Sequence, residues 1–283
     1  MRVAVVGHVE WIEFARVERV PVAGEIIHAL EAWEEPGGGG SVAAVQLAKL
    51  AGECTFFAAL GDDPLGHRAH RDLGALGVRV EAVFRPIPQR RGFTFIDASG
   101  ERTITVMGER MGPNGADPLP WDVLDGTGAV YFTAGDEAAL RHARRSRVLV
   151  VTARILPQVA RGAVPLDALV GSGRDQAEHY APGDLDPPPR LAVWTEGRSG
   201  GRYRTADGIE GTYPAAPIPG PVVDAYGCGD SFAAGLAFAL GSGLGVEDAL
   251  AFASKCGAAC LTGRGPYEGQ LSLRHGKEVR DLV

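Results

Sequence analysis

Residues 222–232 read Val222-Val223-Asp224-Ala225-Tyr226-Gly227-Cys228-Gly229-Asp230-Ser231-Phe232. A glycine-rich turn here runs into an apolar stretch, Phe232 to Leu240, at helical spacing. Glycines let successive backbone N–H groups point into one concavity. The helix N-terminus adds roughly half a positive charge. Together they predict an anion site of the size of a phosphate. Asp230 falls in the first turn of that helix, where a carboxylate meets a hydroxyl that attacks phosphorus. The segment alone leaves a second reading open, in which Asp230 is only an N-cap.

Working outward, glycine is in excess: 40 of 283 residues, about double ordinary usage. There is no Gly-X-Y period, so collagen is excluded. A second cluster, Gly37-Gly38-Gly39-Gly40, stands ahead of the helical run Val42 to Ala51. Gly38, Gly40 and Ala43 mimic a dinucleotide fingerprint, but that motif follows a buried strand. Glu31-Ala32-Trp33-Glu34-Glu35-Pro36 does not read as one. No GxxxxGK[ST] loop is present either.

Strand-like runs (Arg2 to Val6, Cys54 to Leu60, Ala129 to Thr133, Val148 to Thr152, Leu191 to Thr195) alternate with helical ones, including Arg68 to Leu76 and Val246 to Leu261. Such alternation predicts an α/β fold with a parallel sheet. Gly92 to Asp97 and Thr103 to Met107 flank a turn and read as a hairpin, with His28 to Trp33 as a third candidate strand of a small accessory sheet.

Hydrophobic residues make up 45% and charged residues 22% of the chain, which excludes disorder. The net charge of −7 gives no pull toward nucleic acid or anionic membranes. No stretch reaches the ~18 apolar residues of a membrane helix. Cys54, Cys228, Cys256 and Cys260 form no CxxC pair and read as reduced thiols rather than a zinc site. A cytoplasmic protein is expected.

With these segments in hand, the chain resembles the ribokinase-like, PfkB-type carbohydrate kinases over nearly its whole length. The 224–232 segment is similar to the family's D-T-x-G-A-G-D-x-F signature. Gly37-Gly38 through Leu50-Ala51-Gly52 resembles its N-terminal glycine loop and helix. Val20-Pro21-Val22-Ala23-Gly24-Glu25, Leu60-Gly61-Asp62-Asp63-Pro64-Leu65-Gly66 and Thr195-Glu196-Gly197-Arg198-Ser199-Gly200 resemble its F-P-x-x-G-E, G-x-D-x-x-G and T-x-G-x-x-G segments.

The resemblance implies one kinase domain over 1–283: a three-layer α/β/α unit with a central, mostly parallel sheet. A small β-sheet lid is implied at about 10–34 and 91–108. It implies ATP with Mg²⁺, a monovalent cation such as K⁺, a sugar or nucleoside acceptor, and a homodimer through the lid. Asp230 would be the base, and Gly227, Cys228 and Gly229 the anion hole. Gly37, Gly38, Gly39 and Ser41 would face the acceptor. Asp224, Thr195, Gly197 and Gly200 would serve the nucleotide side. Two alternatives accompany the sugar-kinase reading: a nucleoside kinase, and a catalytically weak binding protein.

The departures fall on the acceptor side. Ile12 takes the position of the usual sugar-binding Asp, and Val42 that of an Asn. Glu10 is the expected substitute, with His8, Glu13 and Ser41 as further candidates. The N-x-x-E motif is replaced by Ser172-Gly173-Arg174-Asp175, so Asp175 or Glu178 is expected to supply the carboxylate for Mg²⁺. Cys228 replaces an alanine. A helix N-terminus would lower its thiol pKa, while a small residue that simply fits is the plainer reading.

Overall fold

From Val3 to His8 every residue is buried, as a strand covered on both faces requires. Alternate side chains serve two different cores. Val3 and Val5 join one apolar cluster, and Ala4 and Val6 join the other. This strand therefore lies in the middle layer of three.

The computed structural model describes residues 1–273 and Val279. The chain runs β1 (Val3–His8), β2 (Glu10–Arg16), β3 (Glu31–Gly37), α1 (Gly39–Ala51), β4 (Cys54–Gly61), α2 (Pro64–Ala75), β5 (Val78–Arg85), β6 (Arg91–Ile96), β7 (Arg102–Met107), β8 (Ala129–Phe132), α3 (Glu137–Ala143), β9 (Leu149–Thr152), α4 (Leu156–Gly162), β10 (Ala168–Ser172), β11 (Leu191–Thr195), β12 (Gly201–Thr205), β13 (Glu210–Tyr213), α5 (Cys228–Gly241) and α6 (Val246–Cys260).

The main sheet has nine strands in the order β13-β12-β11-β10-β9-β8-β1-β4-β5. From β5 to β11 each pairing is parallel. The last two are antiparallel. Helices α1, α5 and α6 pack on one face, and α3 and α4 on the other. The small sheet has the order β3-β2-β6-β7. One residue, Val9, separates β1 from β2, so the chain passes directly from the main sheet into the small one.

Both glycine-led helices start earlier than their apolar periodicity suggests. α1 begins at Gly39 rather than Val42, and α5 at Cys228 rather than Phe232. The reason is steric. A Cβ on Gly40 would lie 2.6 Å from the His8 carbonyl, so only glycine lets α1 start against the end of β1. Helix α2 is capped by Asp63, whose carboxylate accepts from the Gly66 N–H at 2.8 Å. β2 sits in the small sheet, paired with both β3 and β6.

Candidate active site

The N-terminus of α5 is built from its backbone. Gly227 is the N-cap, in the left-handed region at φ 80°. A Cβ there would also lie 2.8 Å from Val42 Cγ1. No side chain caps this helix, so Asp230, on the first turn, is not its N-cap. Gly229 is exposed, with nothing within 4 Å of the place a Cβ would take. Asp230 is half-buried beside it. Burial raises its carboxyl to about 6, Glu178 pushes the same way, and Arg102 and Arg110 oppose.

The glycine loop before α1 closes over this carboxylate. A Cβ on Gly39 would lie 2.6 Å from Asp230 Oδ1 and 3.6 Å from His8 Cε1. Gly38, at φ 85°, passes over Glu10 and His8. The two glycine clusters are tied together by Tyr226, whose hydroxyl accepts from the Gly38 N–H at 3.0 Å in a buried contact. Asp224 braces the second cluster: its carboxylate oxygens accept from Tyr226 N at 2.8 Å and Gly265 N at 3.0 Å. Ser41 is buried, and its hydroxyl donates to the Gly37 and Gly38 carbonyls. That proton holds the loop rather than a ligand. Replacing Tyr226 by Phe should strand the Gly38 N–H and cost about 1–3 kcal/mol, read as a lower denaturant midpoint.

A second cluster of polar side chains lies at the end of β1 and the roots of the small sheet. Glu10 is buried, with Arg90 Nε 2.7 Å from Oε1. Burial raises its carboxyl, against the pull of Arg90 and Arg110. His8 is buried, and burial followed by Arg110 holds its pKa well below the usual value, so the ring is neutral. Its Nδ1 lies 3.1 Å from Arg110 Nη2 and 3.3 Å from Thr133 Oγ1. Ile12 and Val42 are fully buried. Ile12 is wedged under Gly37 and Gly92, and Val42 under Gly227. Neither position offers a polar group to a ligand. Glu13 is not part of this cluster; it pairs with Arg91.

The other side of the cleft gathers at the ends of β9, β10 and β11. Ligands in open α/β sheets bind beyond such carboxyl ends. Gly173 N donates to the Thr195 carbonyl at 2.8 Å, which sets the 172–178 and 195–200 loops side by side. Gly197 has φ 63° beside the Arg174 guanidinium, and Gly200 has φ 80° against the Tyr213 carbonyl. Asp175 and Glu178 both hold Arg154, at 2.6 and 2.7 Å. Each also accepts a backbone N–H, from Ala177 and Ser172. With a guanidinium between them, these carboxylates do not fit a protein-held Mg²⁺ in this arrangement. Among the described residues no group of three or more metal-ligating side chains converges. Mg²⁺ commonly rides on nucleotide phosphates with few protein ligands.

The environment of Cys228 runs against a reactive thiolate. A hydrogen bond shared with Cys260, together with burial, raises its thiol pKa. Arg90, Arg110, Arg154, Thr133 and Tyr226 escaped the sequence reading. The available signal was weak: arginines stand at both roots of the accessory hairpin, at Arg90-Arg91 and at Arg110.

A mostly parallel sheet with a second, smaller sheet beside it thus carries a glycine turn and a raised carboxylate at the start of α5. The family model for pfkB family carbohydrate kinases matches residues 1–157 and 166–272, and the chain belongs to that family. It is 28% identical over 279 residues to an ATP-dependent ribose-1-phosphate kinase from Halopiger xanaduensis, covering 91% of each chain. It is 26% identical over 289 residues to a ribokinase from Bacillus subtilis, covering 94% of each. Ribokinase from Cryptococcus neoformans var. grubii, solved in complex with ADP, superposes with a TM-score of 0.74 at 20% identity over 96% of each chain, showing the same fold. Among the described residues no helix is long and apolar enough to cross a membrane.

Proposed function

We propose that this kinase transfers the γ-phosphoryl group of ATP to a hydroxyl, most simply a primary one, of a small sugar, with Asp230 as the general base. The observation that carries this is the half-buried Asp230, raised to about 6, next to the exposed Gly229 in the first turn of α5. The carboxylate takes the hydroxyl proton as the oxygen attacks phosphorus. The Gly227, Cys228 and Gly229 amides hold the charge that builds on the transferred group. In such transfers positioning and electrostatics supply most of the catalysis. Thr195, Gly197 and Gly200 line the nucleotide side, and Asp224 braces the loop. Glu10, Gly37, Gly38 and Gly39 face the acceptor. The small sheet closes over the cleft and limits wasteful ATP hydrolysis.

The base works only when deprotonated. The expected pH profile of kcat/KM therefore rises through about pH 6 and levels off above it, and a profile flat from pH 5 to 8 would refute Asp230 as the base. ATP consumption across a panel of sugars and nucleosides tests the function as a whole. A preference for nucleosides would make this a nucleoside kinase, and no Asp230-dependent turnover would make it a binding protein. Chelation of Mg²⁺ and exchange of K⁺ in the same assay test the two ions.

Two further readings attach to this one. Ile104, Val106 and Met107 are exposed on the edge strand β7; this supports a homodimer through the small sheets, which light scattering tests. The four cysteines are free thiols, which supports a cytoplasmic location.

A further inference from the structure

We propose that Arg154 is the fixed cation at the nucleotide end of the cleft, held by Asp175 and Glu178 where a protein-bound divalent ion would otherwise sit, and that its outer edge receives phosphate oxygens of the nucleotide. This rests on the kinase reading above and adds to it a side chain that meets the phosphates. The first observation is that the two carboxylates are fully committed. Asp175 Oδ2 accepts from Arg154 Nη2 at 2.6 Å, and Oδ1 accepts from the Ala177 N–H at 2.9 Å. Glu178 Oε1 accepts from Arg154 Nε at 3.0 Å and lies 2.7 Å from Nη2. Its Oε2 accepts from the Ser172 N–H at 2.7 Å. Every carboxylate oxygen of the pair thus faces an N–H. A hard divalent ion needs such oxygens for itself, and would have to displace the guanidinium to reach them. The pair is already matched to a cation that belongs to the chain.

The second observation is what remains of the guanidinium. Its Nε and Nη2 are spent on the carboxylates, and among the described residues Nη1 donates to no acceptor. The side chain is 38% exposed, so this edge is open to a ligand. A guanidinium clamped along one edge is already oriented for a phosphate oxygen at the other. The third is placement. Arg154 stands two residues beyond Thr152, the last residue of β9, and its backbone N–H donates to the Thr152 hydroxyl at 3.3 Å. Thr152 pairs with Val170 of β10, so the guanidinium and the 172–178 loop stand together at the carboxyl ends of the sheet. Both charges are felt at the reacting end of the cleft. Glu178 raises Asp230, and Arg154 lowers His8 and Arg110. Two carboxylates at this place would repel nucleotide phosphates, and the cation between them offsets that repulsion.

The test is calorimetry on the full chain with AMP-PNP, a non-hydrolysable ATP analogue, in the presence of Mg²⁺. Arg154→Gln should weaken AMP-PNP binding by about 10- to 100-fold, the scale of charge-assisted hydrogen bonds. Arg154→Lys, which keeps the charge without the planar fork, should recover part of the loss. Glu178→Gln removes a carboxylate and leaves the cation, so it should bind AMP-PNP at least as tightly as the unaltered chain. A loss in Glu178→Gln comparable to that in Arg154→Gln overturns the proposal, because Glu178 would then hold a metal ion or Arg154 would merely brace the 172–178 loop. This second variant also decides the matter if Arg154→Gln does not fold. Mn²⁺ alone, titrated into the unaltered chain, should show no binding that Glu178→Gln removes, and such binding overturns the proposal as well. Equal AMP-PNP affinity in the unaltered chain and Arg154→Gln overturns it and leaves the kinase reading standing. No binding of AMP-PNP by the unaltered chain overturns both.

Discussion

Asp230→Asn should lower kcat by about 10²–10⁴-fold, the range that a positioned general base contributes, with little change in KM for ATP. The amide keeps the size of the carboxylate and removes its basicity. The same substitution should raise Tm at pH 8. Folding raises this carboxyl from its ordinary value near 3.8 to about 6. A group raised in this way stabilises the fold below its unfolded pKa, and that contribution is lost as pH climbs through the folded value. Above pH 6 the native state therefore carries a carboxylate it would rather hold protonated, and Asn removes that burden. At pH 4 the difference in Tm should shrink. An activity loss with higher stability at pH 8 is the signature of a functional rather than a structural aspartate. Activity within a few-fold of the unaltered enzyme would place the base elsewhere.

Gly39→Ala should cost about 10²-fold in kcat/KM while the fold is retained. The added methyl would fall 2.6 Å from Asp230 Oδ1. The atom in its way is the end of a side chain, so the carboxylate can yield without moving backbone. Gly39 does not need a left-handed φ, and Ala is favoured over Gly inside a helix. Displacement of a reacting group by about 1 Å is enough for a loss of this size. Circular dichroism and Tm close to those of the unaltered chain, alongside the kinetic loss, would show that the methyl acts on the base. Unchanged kinetics would mean that Asp230 works from a different position. Gly227→Ala makes a useful contrast. It forces a Cβ onto φ 80° and against Val42, and so should lower Tm as well as activity.

Several elements were legible because their signals are local. The β1, β4, β8, β9 and β11 segments are short apolar runs, and the hairpin of β6 and β7 announces itself by a Gly-containing turn between Thr- and Phe-rich strands. The antiparallel edge β12 and β13 did not show itself, because Gly201-Arg202-Tyr203-Arg204-Thr205 and Glu210-Gly211-Thr212-Tyr213 are polar and half-solvated. β2 lies inside the 10–34 stretch that the family resemblance implies for the small sheet, but the residue pattern alone does not mark it, for a different reason. Glu10 to Arg16 follows β1 after one residue, and both of its pairings are with segments distant in sequence.

By itself the sequence determined the glycine turn at Gly227–Gly229 ahead of a helix, the carboxylate at Asp230 in its first turn and the apolar residues at Ile12 and Val42. Each follows from residue type at a fixed distance from a helix start or strand end. The tertiary structure decided what those groups face. It set Gly39 over Asp230, tied Tyr226 to Gly38 across 188 residues, and gave Asp175 and Glu178 to Arg154. It also brought Arg110 to His8 across 102 residues. Burial and distance are properties of the packed chain, so the raised Asp230 carboxyl and the contact of Arg110 with His8 exist only once the two sheets are assembled.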